Sequence, residues 1–113
     1  IRSIKGSRRL GALYDLIPPN GKFFDSNLKK KRFNGLGKWN RARIEVNNGM
    51  VAHFLNGIKI LEYNRHSQVW AALVAFSNYN KFPGFGQNNE GYILLQKSEK
   101  KVSFKNIKIK ELK

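Results

Sequence analysis

Residues 50–63 read "MVAHFLNGIKILEY". Two apolar stretches flank Asn56-Gly57, a pair suited to a two-residue type I′ turn because both central positions need positive φ. Val51, His53 and Leu55 share one parity, so they fall on one face of a strand. A second Asn-Gly pair, Asn48-Gly49, comes just before. Ahead of it, "KWNRARIEVNN" alternates: Ala42, Ile44 and Val46 take one face, while Trp39, Arg41, Arg43 and Glu45 take the other. The pattern predicts a three-stranded antiparallel meander over residues 39–63, with Ala42, Ile44 and Val46 on the core face.

Further along, "SQVWAALVAF" breaks the period of two. Ser67 is a capping residue, and Val69, Trp70, Leu73, Val74 and Phe76 recur at helical spacing, which predicts one short helix over residues 67–76. "NKFPGFGQNNEG" has loop composition and is expected to close the fold. "GYILLQ" and "KVSFKNIKIKEL" predict a second hairpin. In the latter, Val102 and Phe104 share one parity and Ile107 and Ile109 the other, so a β-bulge is expected near Lys105-Asn106. Upstream, "GALYDLIPP" reads as a strand stopped by Pro18-Pro19, followed by a long loop over residues 20–37. About six strands and one helix indicate an all-β sandwich or jelly roll, although a two-sheet sandwich usually needs more strands.

The chain has 113 residues, 41% of them hydrophobic, which suits one small domain or part of a larger one. It contains no cysteine, so neither a disulfide framework nor a thiol nucleophile is available. No apolar run approaches a membrane span. The first residue is Ile1 rather than Met, so the missing leader says little about compartment. The net charge of +15 attracts polyanions. Its lysines are spread over turns and strand exteriors, and the densest run, Lys29 to Arg32, has loop character. No RNP-like strand, zinc-ligand spacing or helix-turn-helix pattern accompanies them, so a solvated surface is favoured over a nucleic-acid or acidic-polysaccharide site.

Seven stretches taken together, "GALYDLIPP", "GKWNRARIEV", "HFLNGIKILEY", "VWAALVAFS", "FPGFG", "EGYILLQ" and "VSFKNIKIKEL", resemble in order and spacing the C-terminal part of the 3-keto-disaccharide hydrolase family. The resemblance covers roughly residues 10–112. It implies a concanavalin A-like lectin/glucanase jelly roll, of which residues 1–113 form a single partial domain, the C-terminal half. It also implies a bacterial protein, exported to the periplasm or beyond. The chemistry implied is cleavage of glycosides already oxidised at C3 of the sugar. The C3 ketone acidifies the C2 proton, a base removes it, the C1 substituent leaves by elimination, and water adds back. That reaction needs a base and an electrophile near the ketone, and a divalent metal is one candidate electrophile. The alternative is a non-catalytic carbohydrate-binding module of the same fold.

The residues divide as follows. Tyr14 and Asp15 match the family's Tyr-Asp pair, which makes Asp15 a catalytic candidate. An acid within a strand of so basic a chain calls for a partner, and Arg43 is the expected one. His53 is a candidate base, set against the plainer reading of a packed histidine. Arg41 and Arg43 are candidates for sugar or ketone recognition, set against a solvent-facing strand. Trp39 is a candidate stacking platform, set against the plainer reading of a residue that seals a sheet edge, and Gln96 matches the family's glutamine and is a candidate hydrogen-bonding contact to substrate. His66 beside the helix start is read as capping or solvated, and two histidines so placed make no metal-ligand motif. After "LLQ" the family pattern continues Asp-His-Gly, whereas this chain has Lys97-Ser98. The departure removes an acid and an imidazole from the rim of the expected cleft.

Overall fold

The computed structural model describes residues 10–19, 34–96 and 100–112. Its centre is a three-stranded antiparallel sheet in the order β1-β2-β3, formed by β1 (Ala42–Asn47), β2 (Met50–Leu55) and β3 (Ile58–Asn64). The meander is therefore where the two Asn-Gly pairs place it, starting three residues later than expected. Asn56 and Gly57 take φ of 49° and 83°, the left-handed pair a type I′ turn requires. The other turn differs. Asn48 is at φ 55° but Gly49 is not in the left-handed region. Gly49 is buried, and a Cβ there would lie 2.5 Å from Asn64 Oδ1 and 2.6 Å from His66 Nδ1, so close approach rather than φ requires glycine.

Register fixes the two faces of the sheet. Ile44 faces His53, Val46 faces Val51, and His53 faces Leu61. Arg43 faces Phe54 and Glu45 faces Ala52 on the other side. A bulge interrupts the β2–β3 ladder at His53/Phe54, where His53 pairs with Leu61 and Phe54 with Lys59, leaving Ile60 as the extra residue. Ile60 and Leu61 are thereby both buried, and with Leu55 they form the core, joined by Leu13, Ile17 and Tyr63.

The segment expected to be a strand at "GALYDLIPP" is a tight turn instead. Leu13 and Ile17 exchange two backbone hydrogen bonds of 2.9 Å across it, Asp15 sits at φ 62°, and Leu16 is fully buried. Aspartate tolerates the left-handed region better than most residues, and here that reversal wins over extended alternation. The turn is held by Tyr79, whose hydroxyl donates to the Tyr14 carbonyl at 2.6 Å.

The helix α1 spans Gln68–Ala75, and Ser67 Oγ accepts from the Trp70 backbone N–H at 3.1 Å as its N-cap. A short 3-10 turn, Asn78–Lys81, follows with Ser77 as its cap. Trp70 is the buried residue of α1 and stacks between Tyr63 and Phe85, with ring centroids 5.3 Å and 6.2 Å away; Phe85 stacks in turn on Tyr79 at 4.2 Å. The "FPGFG" loop thus closes the fold, as expected. Gly86, at φ 74°, lets it approach, since a Cβ there would stand 2.5 Å from the Trp70 ring.

Three further expectations are corrected. Residues 91–96 and 101–112 carry no strand, and the turn between them, residues 97–99, lies outside the described residues. A hairpin with no sheet to join is marginal, and among the described residues nothing pairs with these segments. Asn106 does sit at φ 55°, at the parity switch, but no ladder surrounds it and the bulge of this sheet is in β2–β3. The predicted core face of β1 is also open: Ile44 is 63% and Val46 49% exposed, because no layer among the described residues covers them. The run Lys29 to Arg32 and most of the expected loop at 20–37 lie outside the described residues.

Candidate functional site

His53 projects from β2 on the side of the sheet that packs against the 10–17 turn. Its Nδ1 lies 2.9 Å from the Gly11 carbonyl oxygen, and its Nε2 lies 3.0 Å from the Tyr63 hydroxyl. A carbonyl only accepts, so Nδ1 carries the proton and Nε2 accepts from Tyr63. The two rings meet edge to face with centroids 5.4 Å apart. Burial lowers the His53 pKa from its ordinary value, opposed by the hydrogen bond to Gly11, and burial pushes Tyr63 up to about 12, opposed by the Arg65 charge. The pair is therefore neutral: an imidazole lone pair filled by a phenol. Tyr14 and Asp15 belong to the turn that His53 grips, and Tyr14 exposes its side chain.

Arg43 lies on the opposite face of the sheet. Its guanidinium packs 4.2 Å from the Phe54 ring centroid and pairs with Glu45 at 3.2 Å. Arg43 therefore pairs with Glu45, whereas Asp15 had been its expected partner. The next ion pair on this face is Lys59 with Glu62, at 2.6 Å.

Trp39 and Arg41 precede β1. The Arg41 backbone N–H donates to Asn56 Oδ1 at 2.8 Å, and around the same corner the Asn34 backbone N–H and the Asn56 Nδ2 both donate to Asn40 Oδ1, at 2.7 and 3.0 Å. Trp39 is 52% exposed, and the Lys105 ammonium stands 4.1 Å from its ring centroid, across 66 residues of sequence. Gln96 ends the exposed 91–96 segment. Apart from Gln96, the sequence candidates thus fall into three places. Tyr14, Asp15 and His53 are on one side of the sheet, Arg43 is on the other, and Trp39 and Arg41 are at the β1 entry with Lys105. Among the described residues no group of three or more His, Asp or Glu side chains converges, so they offer no ready ligand set for a divalent metal. No helix among them is long and apolar enough to cross a membrane.

Two residues escaped sequence reasoning. Tyr63 ends the hairpin motif, and its parity with His53 through the register was the available signal. Arg65 had no signal. Its Nη1 donates to the carbonyls of Gly86 and Asn88 at 3.0 and 2.8 Å, its Nη2 donates to that of Asn48 at 3.4 Å, and its own carbonyl accepts from Gln87 at 2.6 Å. This arginine fastens the closing loop to the β1–β2 turn. His66 is solvated, and Ser67 does the capping.

Residues 2–110 match the 3-keto-alpha-glucoside-1,2-lyase-like domain. A 3-keto-disaccharide hydrolase of Bacteroides thetaiotaomicron is 34% identical over 116 residues, covering 94% of this chain and 37% of the relative. A crystal structure from Parabacteroides distasonis, described provisionally as a glycosyl hydrolase, shares the fold with a TM-score of 0.56 at 24% identity, over 71% of this chain and 33% of that one. The chain spans about a third of the length of each.

Proposed function

The chain belongs to the 3-keto-alpha-glucoside-1,2-lyase-like family, and from that membership we propose that it is the C-terminal part of a carbohydrate-active jelly roll that cleaves 3-keto-glycosides. The single observation carrying this reading is the family match over residues 2–110, seconded by the 34% identity to a 3-keto-disaccharide hydrolase. In the proposed reaction a base takes the C2 proton, acidified by the neighbouring ketone. The C–H electron pair becomes the C1–C2 double bond, the C1–O bond breaks, and the leaving oxygen takes a proton. Water then adds at C1. The proposed proton-transfer groups of this chain are Asp15 and His53. Tyr14, Trp39, Arg41, Arg43 and Gln96 are the proposed substrate contacts, completed by residues of the rest of the jelly roll. Export to the periplasm or beyond belongs to the same proposal.

The second reading, a carbohydrate-binding module without turnover, is favoured by one observation: both ring nitrogens of His53 are already engaged. A base must have its lone pair available, and here Tyr63 fills it. The test is incubation of the full-length protein with a 3-keto-glucoside, following both release of the aglycone and binding by calorimetry. Turnover supports the enzyme, binding without turnover supports the module, and neither overturns both.

A further inference from the structure

The geometry points to an anionic saccharide, bearing carboxylate or sulfate, as the ligand of the Trp39 corner. The inference rests on the carbohydrate reading above and narrows its substrate class. Trp39 is half exposed, and one face of its ring is held by the Lys105 ammonium at 4.1 Å. Lys38 and Arg41 flank it in sequence and are exposed. Trp39 and Lys105 are in direct contact, Lys38 and Arg41 are their exposed neighbours in sequence, and none of the three cations has an ion pair among the described residues.

The contrast with the neighbouring sheet face is what gives the corner its meaning. There Arg43 is paired with Glu45 and Lys59 with Glu62. At the Trp39 corner no acid among the described residues pairs with the cations. Residues 100–112 hold five lysines against the single acid Glu111: Lys101 and Lys105 alternate with Val102 and Phe104 before Asn106, which sits at φ 55°, and Lys108 and Lys110 alternate with Ile107 and Ile109 after it. A linear polyanion could follow such a row. Residues two apart on an extended chain are separated by roughly 6.6 Å, on the scale of one sugar ring. The C–H face of a pyranose stacks on an indole, and an acidic substituent at its rim reaches the ammonium and guanidinium groups. A neutral sugar would use the indole and leave the cations unanswered. A nucleic acid would also answer them, but a single exposed aromatic at a strand entry is a poor base-stacking track, which needs successive rings.

The test uses the full-length protein and calorimetric titrations with a chondroitin sulfate hexasaccharide, a galacturonate hexamer, a neutral maltohexaose and a thymidine oligonucleotide of matched charge. The expected result is that an acidic hexasaccharide binds at least about tenfold more tightly than maltohexaose at low salt, with the advantage shrinking as the ionic strength rises. Trp39→Ala and Lys105→Gln should each weaken acidic-glycan binding by about fivefold or more. Lys81→Gln, the loss of one exposed lysine elsewhere, should change it little. Circular dichroism matching wild type confirms that the variants fold, and Lys105→Arg, which keeps the cation over the ring, should restore most of the affinity. Whichever acidic hexasaccharide binds more tightly identifies the acidic group. Equal affinity for maltohexaose overturns the inference and leaves the carbohydrate reading standing. Equal affinity for the oligonucleotide, indifferent to Trp39→Ala, overturns it in favour of a general polyanion surface. Binding of no saccharide overturns both.

Discussion

The Nε2 atom of His53 stands 3.0 Å from the Tyr63 hydroxyl, and Nδ1 of the same ring stands 2.9 Å from the Gly11 carbonyl. One imidazole thus bridges two strands of the sheet and the turn that carries Tyr14 and Asp15. The bridge fits only one tautomer of the neutral ring, because the carbonyl cannot donate. Adding a proton to Nε2 would force the Tyr63 hydroxyl to turn from donor to acceptor and would place a charge where desolvation already opposes it.

Stability should therefore depend on pH through this pair, with opposite signs at the two ends. His53 has its folded pKa lowered from the ordinary value of 6.5. The unfolded chain binds the extra proton first, so this stabilisation is full above 6.5 and is lost as the pH falls toward the lowered folded pKa. Tyr63 is raised from 10.0 to about 12, so its contribution is full below 10 and is lost as the pH rises to that value. Urea titrations of the full-length protein from pH 7.5 to 5 should show a falling midpoint. His53→Gln should remove that part of the slope and cost about 1–3 kcal/mol at pH 7.5. An unchanged slope would mean that another group carries the acid sensitivity.

Arg65→Lys should destabilise more than an exposed charge-preserving change does. Lysine keeps the charge but not the planar fork that reaches Gly86, Asn88 and Asn48 together. Losing charge-assisted bonds to carbonyls costs roughly 1.5–3 kcal/mol. The consequence should be local, since the loop it fastens carries Phe85 onto Trp70. Hydrogen exchange should rise over residues 82–88 before it rises in β2. Uniform protection in the variant would mean that the aromatic stack alone holds the loop.

The meander was legible because turn chemistry and alternation agree there. Asn56-Gly57 admits one turn, and its register puts Val51, His53 and Leu55 together. The helix was legible from Ser67 and the spacing that follows it. The Leu13–Ile17 turn was not, because its apolar residues alternate as a strand's do and only the φ of Asp15 reverses the chain. The open face of β1 was not legible either. Alternation reports which residues seek burial but not whether a second layer is present, and Ile44 looks the same in both cases. Of the candidate site, the individual residues could be read and their grouping could not. Adjacent positions in β2 place His53 and Phe54 on opposite faces, but nothing in the sequence says that Gly11 and Lys105 come to meet His53 and Trp39.

The isolated 113-residue chain should be poorly stable. Ile44, Leu94 and Ile109 are 63%, 82% and 77% exposed, and they sit in segments that carry many of the chain's large apolar side chains. Exposed apolar surface on that scale marks a missing partner or an aggregation hazard. The purified chain should bind a hydrophobic dye and unfold over a broad denaturant range. A cooperative, monomeric transition worth about 5 kcal/mol or more would show that the chain is self-sufficient and that it is no partial domain.

Arg43 is where stability and function should separate. Its ion pair with Glu45 joins side chains that are 57% and 46% exposed, and its guanidinium rests on Phe54. An exposed pair contributes under about 1 kcal/mol, so Arg43→Ala should leave the melting temperature of the full-length protein nearly unchanged. If the β1 polar face lines the sugar cleft, the same substitution removes fixed donors aimed at the ligand, and turnover or binding of a 3-keto-glucoside should fall by about fivefold or more. Arg41→Ala should act similarly, because its guanidinium has no ion pair among the described residues, while its backbone N–H bond to Asn56 survives the change. A turnover loss with KM unchanged would assign Arg43 to the ketone in the transition state, and a rise in KM alone would assign it to ground-state binding. Wild-type turnover and affinity in both variants would leave this face as solvated surface and place the sugar on the side of His53, where Asp15→Asn then becomes the deciding variant.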